Sequence, residues 1–202
     1  MRHRNIGLIV AGLISGAAIA ALMFGLPARQ PGTTQAVVSG TALVGGPFAL
    51  TDHTGKKVTE KDYLGKFMLV FFGFTNCPDI CPSGLQVISA ALDKLGPKAE
   101  LVTPVFISFD PSRDTPEKLA AYLKSFHPRL IGLTGSDAEV AAVAKAYRVY
   151  LQKVTDEKSP GTYSFDHAAI FYVMGKDGAF VTHVPHTNDV GELTAALDKV
   201  LK

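Results

Sequence analysis

Tryptophan is absent, and only two of the 202 residues are cysteine. With no tryptophan, and with six tyrosines lying mostly inside apolar patterns, the chain offers no platform for stacking nucleic-acid bases. Charge is scarce too. Only 19% of residues are charged, the formal net charge is +2, and the basic residues are scattered, which argues against a nucleic-acid surface. No internal repeat is visible. What the chain has in quantity is apolar residues, at 47% of the sequence with a mean hydropathy of +0.20. That suffices for one well-buried domain and an additional, unusually apolar segment.

The additional segment is N-terminal. Ile6 to Leu26 carries no charge, and as a helix its twenty-one residues would extend about 31 Å, close to the ~30 Å hydrocarbon core of a bilayer. Arg2, His3 and Arg4 precede it and only Arg29 follows closely, a bias that keeps the N-terminus in the cytoplasm and exports the rest. A cleaved signal peptide competes with this reading, since Ala18, Ala20 and Ala21 are small. The apolar run is nevertheless longer than the ~7–15 residues usual for a signal h-region. The expectation is an uncleaved transmembrane anchor at 1–26, a Gly-, Pro- and Thr-rich linker at 27–46, and a domain at 47–202. Val37-Val38 and Leu43-Val44 in the linker could add an edge strand. Both cysteines then face an oxidising compartment.

Within the domain, Phe48–Leu50, Asp52–Gly55 and Lys57–Thr59 predict a hairpin. The apolar run Phe67–Phe72 predicts a buried strand, then a tight turn through Gly73–Asn76, then a helix carrying Leu85, Ile88, Leu92 and Leu95 on one face. Leu101–Phe109 predicts a second strand, with Pro104 near its entry. Thr115 caps a helix whose first residue is Pro116, and Ser136 to Glu139 form a capping box after the short strand Leu130–Leu133. Ala168–Val173 and Ala179–Val184 flank the turn pair Asp177-Gly178, and Asp189 to Glu192 cap a last helix. Alternating β and α units followed by a hairpin and a helix predict an α/β sandwich of the thioredoxin type.

Cys77 and Cys81 sit where the predicted cysteine helix begins, and its unpaired N–H groups and dipole favour thiolate there. Spaced i and i+4, they share a helical face if both are helical. If Pro82 is the first helical residue, Cys77 lies in the turn before it, and the spacing does not choose. Three chemistries stay open. An inert disulfide would close too short a loop to constrain the unfolded chain much. Thiol–disulfide exchange needs a low-pKa thiolate and a resolving partner. A soft-metal site needs a third donor, for which an imidazole is suited. His167 is the candidate, because Phe165-Asp166-His167 leads into the Ala168 strand at the position where a thioredoxin places a cis-proline facing its cysteines. His183 and His186, by contrast, read as ordinary surface or core residues.

Gly73-Phe-Thr-Asn-Cys-Pro-Asp-Ile-Cys-Pro82, the stretch Pro104–Glu117 with Asp110, Arg113 and Asp114, Gly132-Leu-Thr-Gly135 and Asp166-His167 together resemble the SCO/SenC family, from about Pro47 to the C-terminus. The resemblance implies a thioredoxin-like copper chaperone anchored in the bacterial inner membrane, with its domain on the periplasmic side. It implies one copper ion, Cu(I) or Cu(II), held by Cys77, Cys81 and His167. The implied partner is the copper-bearing subunit of cytochrome c oxidase, whose dinuclear centre would be loaded with copper or kept reduced; a periplasmic copper donor and a thiol reductant are further implied partners. Cys77 and Cys81 would be the redox pair of the alternative, a thiol–disulfide oxidoreductase. Asp79, Asp110, Arg113 and Asp114 match motif positions, with Asp110–Thr115 read as a turn and cap. A thiol peroxidase of this fold would want a threonine and a proline where Phe74 and Val70 stand, and an ordinary disulfide reductase would want a two-residue spacing and the cis-proline.

Overall fold

The seven residues Phe67–Gly73 are apolar on both faces of the strand they form, because neighbours on each side leave neither face to water. The computed structural model describes residues 44–155 and 163–201. The expected membrane anchor at 6–26, the linker up to residue 43 and the Val37-Val38 pair lie outside the described residues. Among the described residues, no helix is long and apolar enough to cross a membrane. They belong to one unit, Gly40–Lys202, and Val44 is not in a strand.

The strands are β1 (Ala49–Asp52), β2 (Lys57–Thr59), β3 (Phe67–Gly73), β4 (Val102–Ser108), β5 (Ile131–Thr134), β6 (Leu151–Thr155), β7 (Tyr163–His167), β8 (Ile170–Met174) and β9 (Phe180–Pro185). The α-helices among the described residues are α1 (Ile80–Leu95), α2 (Pro116–Leu123), α3 (Asp137–Ala146) and α4 (Val190–Val200). Seven strands make one sheet in the order β2-β1-β5-β4-β3-β8-β9, while β6 and β7 pair separately. Strands β3, β4 and β5 are parallel, and β8 joins β3 antiparallel. Pro104 is the third residue of β4, opposite Leu69. Pairing with β5 begins only at Val105, so the proline sits where that flank of β4 has no partner strand.

Alternation along β3 divides the core in two. Leu69 and Phe71 pack with Leu85, Ile88 and Leu92 of α1, Leu119 and Leu123 of α2, and Leu193 and Leu197 of α4. Met68, Val70 and Phe72 meet Val140, Val143 and Tyr147 on the other side. The caps form as the residues predict: Thr115 accepts from the Lys118 N–H, and Ser136 and Glu139 form a reciprocal box. Asp189 differs in accepting from Gly191 N–H instead of forming a box with Glu192. With its helices on both faces, this is the mixed α/β layering expected from the sequence.

A larger difference concerns residues 163–169. These do not simply lead into one strand beginning at Ala168. Tyr163–His167 is itself a strand, hydrogen-bonded to Leu151–Thr155, and β8 starts only at Ile170. No peptide bond among the described residues is cis. The small sheet extends from the end of the main sheet where β3 and β4 finish, and its last residue, His167, is delivered to the cysteine turn.

Candidate metal and thiol site

Parallel strands β3 and β4 end together at Gly73 and Ser108, and the loops that follow converge, as they do at ligand sites of open α/β sheets. Helix α1 begins at Ile80, with Asp79 as an N-cap that makes no side-chain capping bond. Cys81 is therefore the second helical residue and Cys77 lies in the turn ahead, which settles the choice left open by spacing; Pro82 is the third helical residue, not the first. Neither cysteine is in a disulfide, Cys81 is buried and Cys77 is half-buried.

The two sulfurs have unequal surroundings. The Cys81 backbone N–H points at Cys77 Sγ at 3.3 Å, so an orphan donor of the helix start is directed at the sulfur. The Cys77 thiol is lowered to about 4, chiefly by a hydrogen bond from the Cys81 side chain, then by His167 and the N–H groups of Asp79 and Cys81, with burial opposing. Cys81 is pushed up, first by its bond to Cys77 and then by burial. The pair is a half-exposed thiolate beside a buried thiol, the division of labour between an attacking and a resolving sulfur.

Alkylation checks this division. Cys77 should react with iodoacetamide at a nearly constant rate from pH 8 down to about 6, whereas an ordinary thiol of pKa ~8.5 slows about tenfold per unit below its pKa. Linkage has the same sign: the depressed folded value contributes stability that is complete above the unfolded thiol value and is lost as pH falls toward about 4. A rate that tracks an ordinary thiol would refute the assignment.

His167 Nε2 lies 4.0 Å from Cys81 Sγ. Its Nδ1 lies 3.3 Å from the Ala168 carbonyl oxygen, which can only accept: with the ring proton on Nδ1 this bond forms and the Nε2 lone pair faces the sulfurs, as a metal requires, whereas a proton on Nε2 makes the ring the donor that lowers the Cys77 thiol. The ring is packed against Phe109 at 4.8 Å and Phe74 at 6.3 Å between centroids, and Phe165 closes the cluster against both phenylalanines. A groove of about 370 Å³ opens over Cys77, lined by Ile80, Phe165, Ala169, His167 and His186 among others.

Among the described residues, no three His, Cys, Asp or Glu side chains already form a closed metal cluster. The donors nonetheless fit one soft ion. Two sulfurs and an imidazole suit it chemically, and 4.0 Å is inside the ~4.3 Å that thiolate and imidazole bonds to a single first-row ion allow. The other imidazoles among the described residues are placed differently: His53 Nδ1 accepts from Gly132, and His127 Nδ1 accepts from Arg129. His183 is exposed beside Phe180, but His186 borders the groove with Nε2 3.2 Å from Ser83 Oγ, a placement its sequence context did not signal.

The acidic motif is also more than a turn and cap. Asp110 and Asp114 are buried, at 2% and 0% exposure, and both are committed to partners outside their own turn. Asp114 accepts from the Thr75 N–H at 2.9 Å, Thr75 Oγ1 at 2.5 Å and Ser108 Oγ at 2.6 Å, which ties it to the turn carrying Cys77. The Asp79 side chain, by contrast, makes no capping bond and borders the groove, its backbone alone serving the helix start and the Cys77 sulfur.

A model of the SCO1/SenC family matches residues 37–202. The chain belongs to the SCO1/SenC family. Among SCO1/SenC relatives, the mitochondrial protein SCO1 homolog of Homo sapiens is 45% identical over 160 residues, covering 78% of this chain and 53% of that protein. The mitochondrial SCO1 homolog 1 of Arabidopsis thaliana is 46% identical over 165 residues, covering 81% of this chain and 49% of the other. The chain thus spans about half the length of these curated relatives. Bradyrhizobium japonicum ScoI, solved with copper bound, superposes with a TM-score of 0.71 at 47% identity, over 77% of this chain and 98% of that one. The fold of this SCO1/SenC chain is accordingly that of the solved Sco proteins.

Proposed function

We propose that this protein binds one copper ion through Cys77, Cys81 and His167 Nε2 and passes it to the copper-bearing subunit of cytochrome c oxidase during assembly. The observation that carries the reading is the convergence of two unbridged cysteines with an imidazole whose Nε2 stands 4.0 Å from Cys81 Sγ while Nδ1 is held by a carbonyl. The copper-bound ScoI at 47% identity supports the choice of ion. Copper is cargo here: the thiolates hold it, the buried aromatic cluster limits water around the imidazole, and the open groove over Cys77 leaves an approach for a recipient. Removal of two electrons from the sulfurs would join them and withdraw two of the three donors, so metal-bound and disulfide states exclude each other. In this reading residues 6–26 anchor the chain in the bacterial inner membrane, 27–46 tether it, and 47–202 work on the periplasmic side, within reach of a copper donor and a thiol reductant.

A second reading, thiol–disulfide oxidoreductase, is favoured by one feature, the lowered Cys77 thiol beside a buried partner. Titration of the reduced full-length chain with Cu(I) against a competing chelator, paired with an assay of disulfide turnover, separates the two. One equivalent bound tightly with slow turnover is the expected result. Weak copper binding with rapid reduction of a general disulfide would overturn the chaperone reading.

A further inference from the structure

The Asp110–Asp114 turn reaches both halves of the site. Toward the cysteines, Asp114 holds Thr75, two residues before Cys77, by its N–H and its hydroxyl, and holds Ser108 at the end of β4. Toward the histidine, Asp110 Oδ1 accepts from Tyr163 OH at 2.7 Å, and Arg113, paired with Asp110, donates to the Tyr163 carbonyl at 3.1 Å. The Arg113 guanidinium also lies over the Tyr163 ring at 3.8 Å, with Lys153 on that ring at 3.6 Å. Tyr163 begins β7 and His167 ends it, so the grip on Tyr163 is a grip on the strand that carries the imidazole.

We propose that Asp110, Arg113, Asp114 and Tyr163 are positioning residues for the metal site: one buried acidic turn clasps the cysteine loop with one carboxylate and the histidine hairpin with the other, and so sets the separation of Cys81 Sγ and His167 Nε2. Burial makes the clasp stiff. Asp114 is fully enclosed and its oxygens are satisfied by three short hydrogen bonds and by Lys118 at 3.7 Å, so the loop has no equally bonded alternative place. The two arms are separable, because Thr75 touches only Asp114 and Tyr163 touches only Asp110 and Arg113 among these four residues.

The inference rests on the copper reading above, and its test keeps the two apart. In the full-length chain, Tyr163→Phe keeps the ring under Arg113 and removes only the hydroxyl. Its expected effect is a roughly tenfold loss of copper affinity, the low end for outer-shell changes. The nitrogen hyperfine pattern of the Cu(II) form should broaden or weaken while the alkylation rate of Cys77 in the metal-free protein is unchanged. Thr75→Val should do the reverse to the apo readout, changing the Cys77 alkylation rate as well as affinity, and Thr75→Ser should restore both. Wild-type copper affinity and an unaltered nitrogen signal in Tyr163→Phe would overturn the clasp. Absence of a histidine nitrogen signal in the wild type would instead overturn the copper reading itself.

Discussion

His167→Ala should lower copper affinity more than 100-fold while leaving the fold and the cysteine pair intact. Changes to groups that merely orient a ligand cost about 10–100-fold in metal affinity, so loss of a direct donor lies beyond that range. Stability should change little, because the imidazole makes one 3.3 Å contact to a carbonyl and a long one of 4.0 Å to Cys81 Sγ, and otherwise packs at the edge of Phe74 and Phe109. The cysteines give the internal control. The largest cause of the depressed Cys77 thiol is the Cys81 side chain, with His167 behind it, so alkylation of Cys77 should stay fast at neutral pH after the substitution. A variant that still takes one Cu(I) with wild-type affinity would reduce the site to the two sulfurs. His186→Ala is the companion measurement, since His186 lies on the same groove but bonds to Ser83 and stacks on Phe171; its affinity should stay within a few-fold of wild type.

Much of this arrangement was readable from residues because the signals were local. A continuous apolar run marked the central strand, Thr115-Pro116 and Ser136–Glu139 marked helix starts, and Asp177-Gly178 marked a hairpin in which Gly178 takes a φ of +80°. His167 was legible through its position ahead of a strand. The strand that it terminates was not. Tyr163-Ser-Phe165-Asp-His167 does alternate apolar with polar residues, but its partner Leu151–Thr155 lies eight or more residues upstream, beyond what a turn signal can connect. The Asp110–Asp114 motif failed for a different reason. Sequence shows an aspartate near a proline and a helix cap, and both readings of it are local, whereas its bonds run 39 residues back to Thr75 and 53 residues forward to Tyr163. Only packing brings those groups together.

Gly73 carries the second large expectation, and its small size is the reason. The residue closes β3 opposite Ser108 instead of belonging to the turn after it, and it owes its identity to space and not to backbone freedom. A Cβ there would stand 2.7 Å from Cys81 Sγ and 2.8 Å from the Phe106 ring, distances that require something to move. Both neighbours are fully buried, and the strand is held in register by the ladder to β4. Gly73→Ala should therefore cost about 1–3 kcal/mol as overpacking, visible as a lower midpoint in urea with an unchanged slope. It should also push Cys81 Sγ off its position and weaken copper binding. Gly84→Ala separates the two effects, because the Cβ it adds lies on the same face of the sheet but meets Phe71 at 2.7 Å and His186 at 3.4 Å, with neither sulfur among its nearest neighbours. Alanine regains about 1 kcal/mol of helix propensity at that position, so the net stability loss should be smaller and copper affinity should hold near wild type. If both variants lose stability but only Gly73→Ala loses copper, the strand end and the metal site share one atom's worth of space; equal copper affinity in the two would show that Cys81 adapts and that Gly73 serves packing alone.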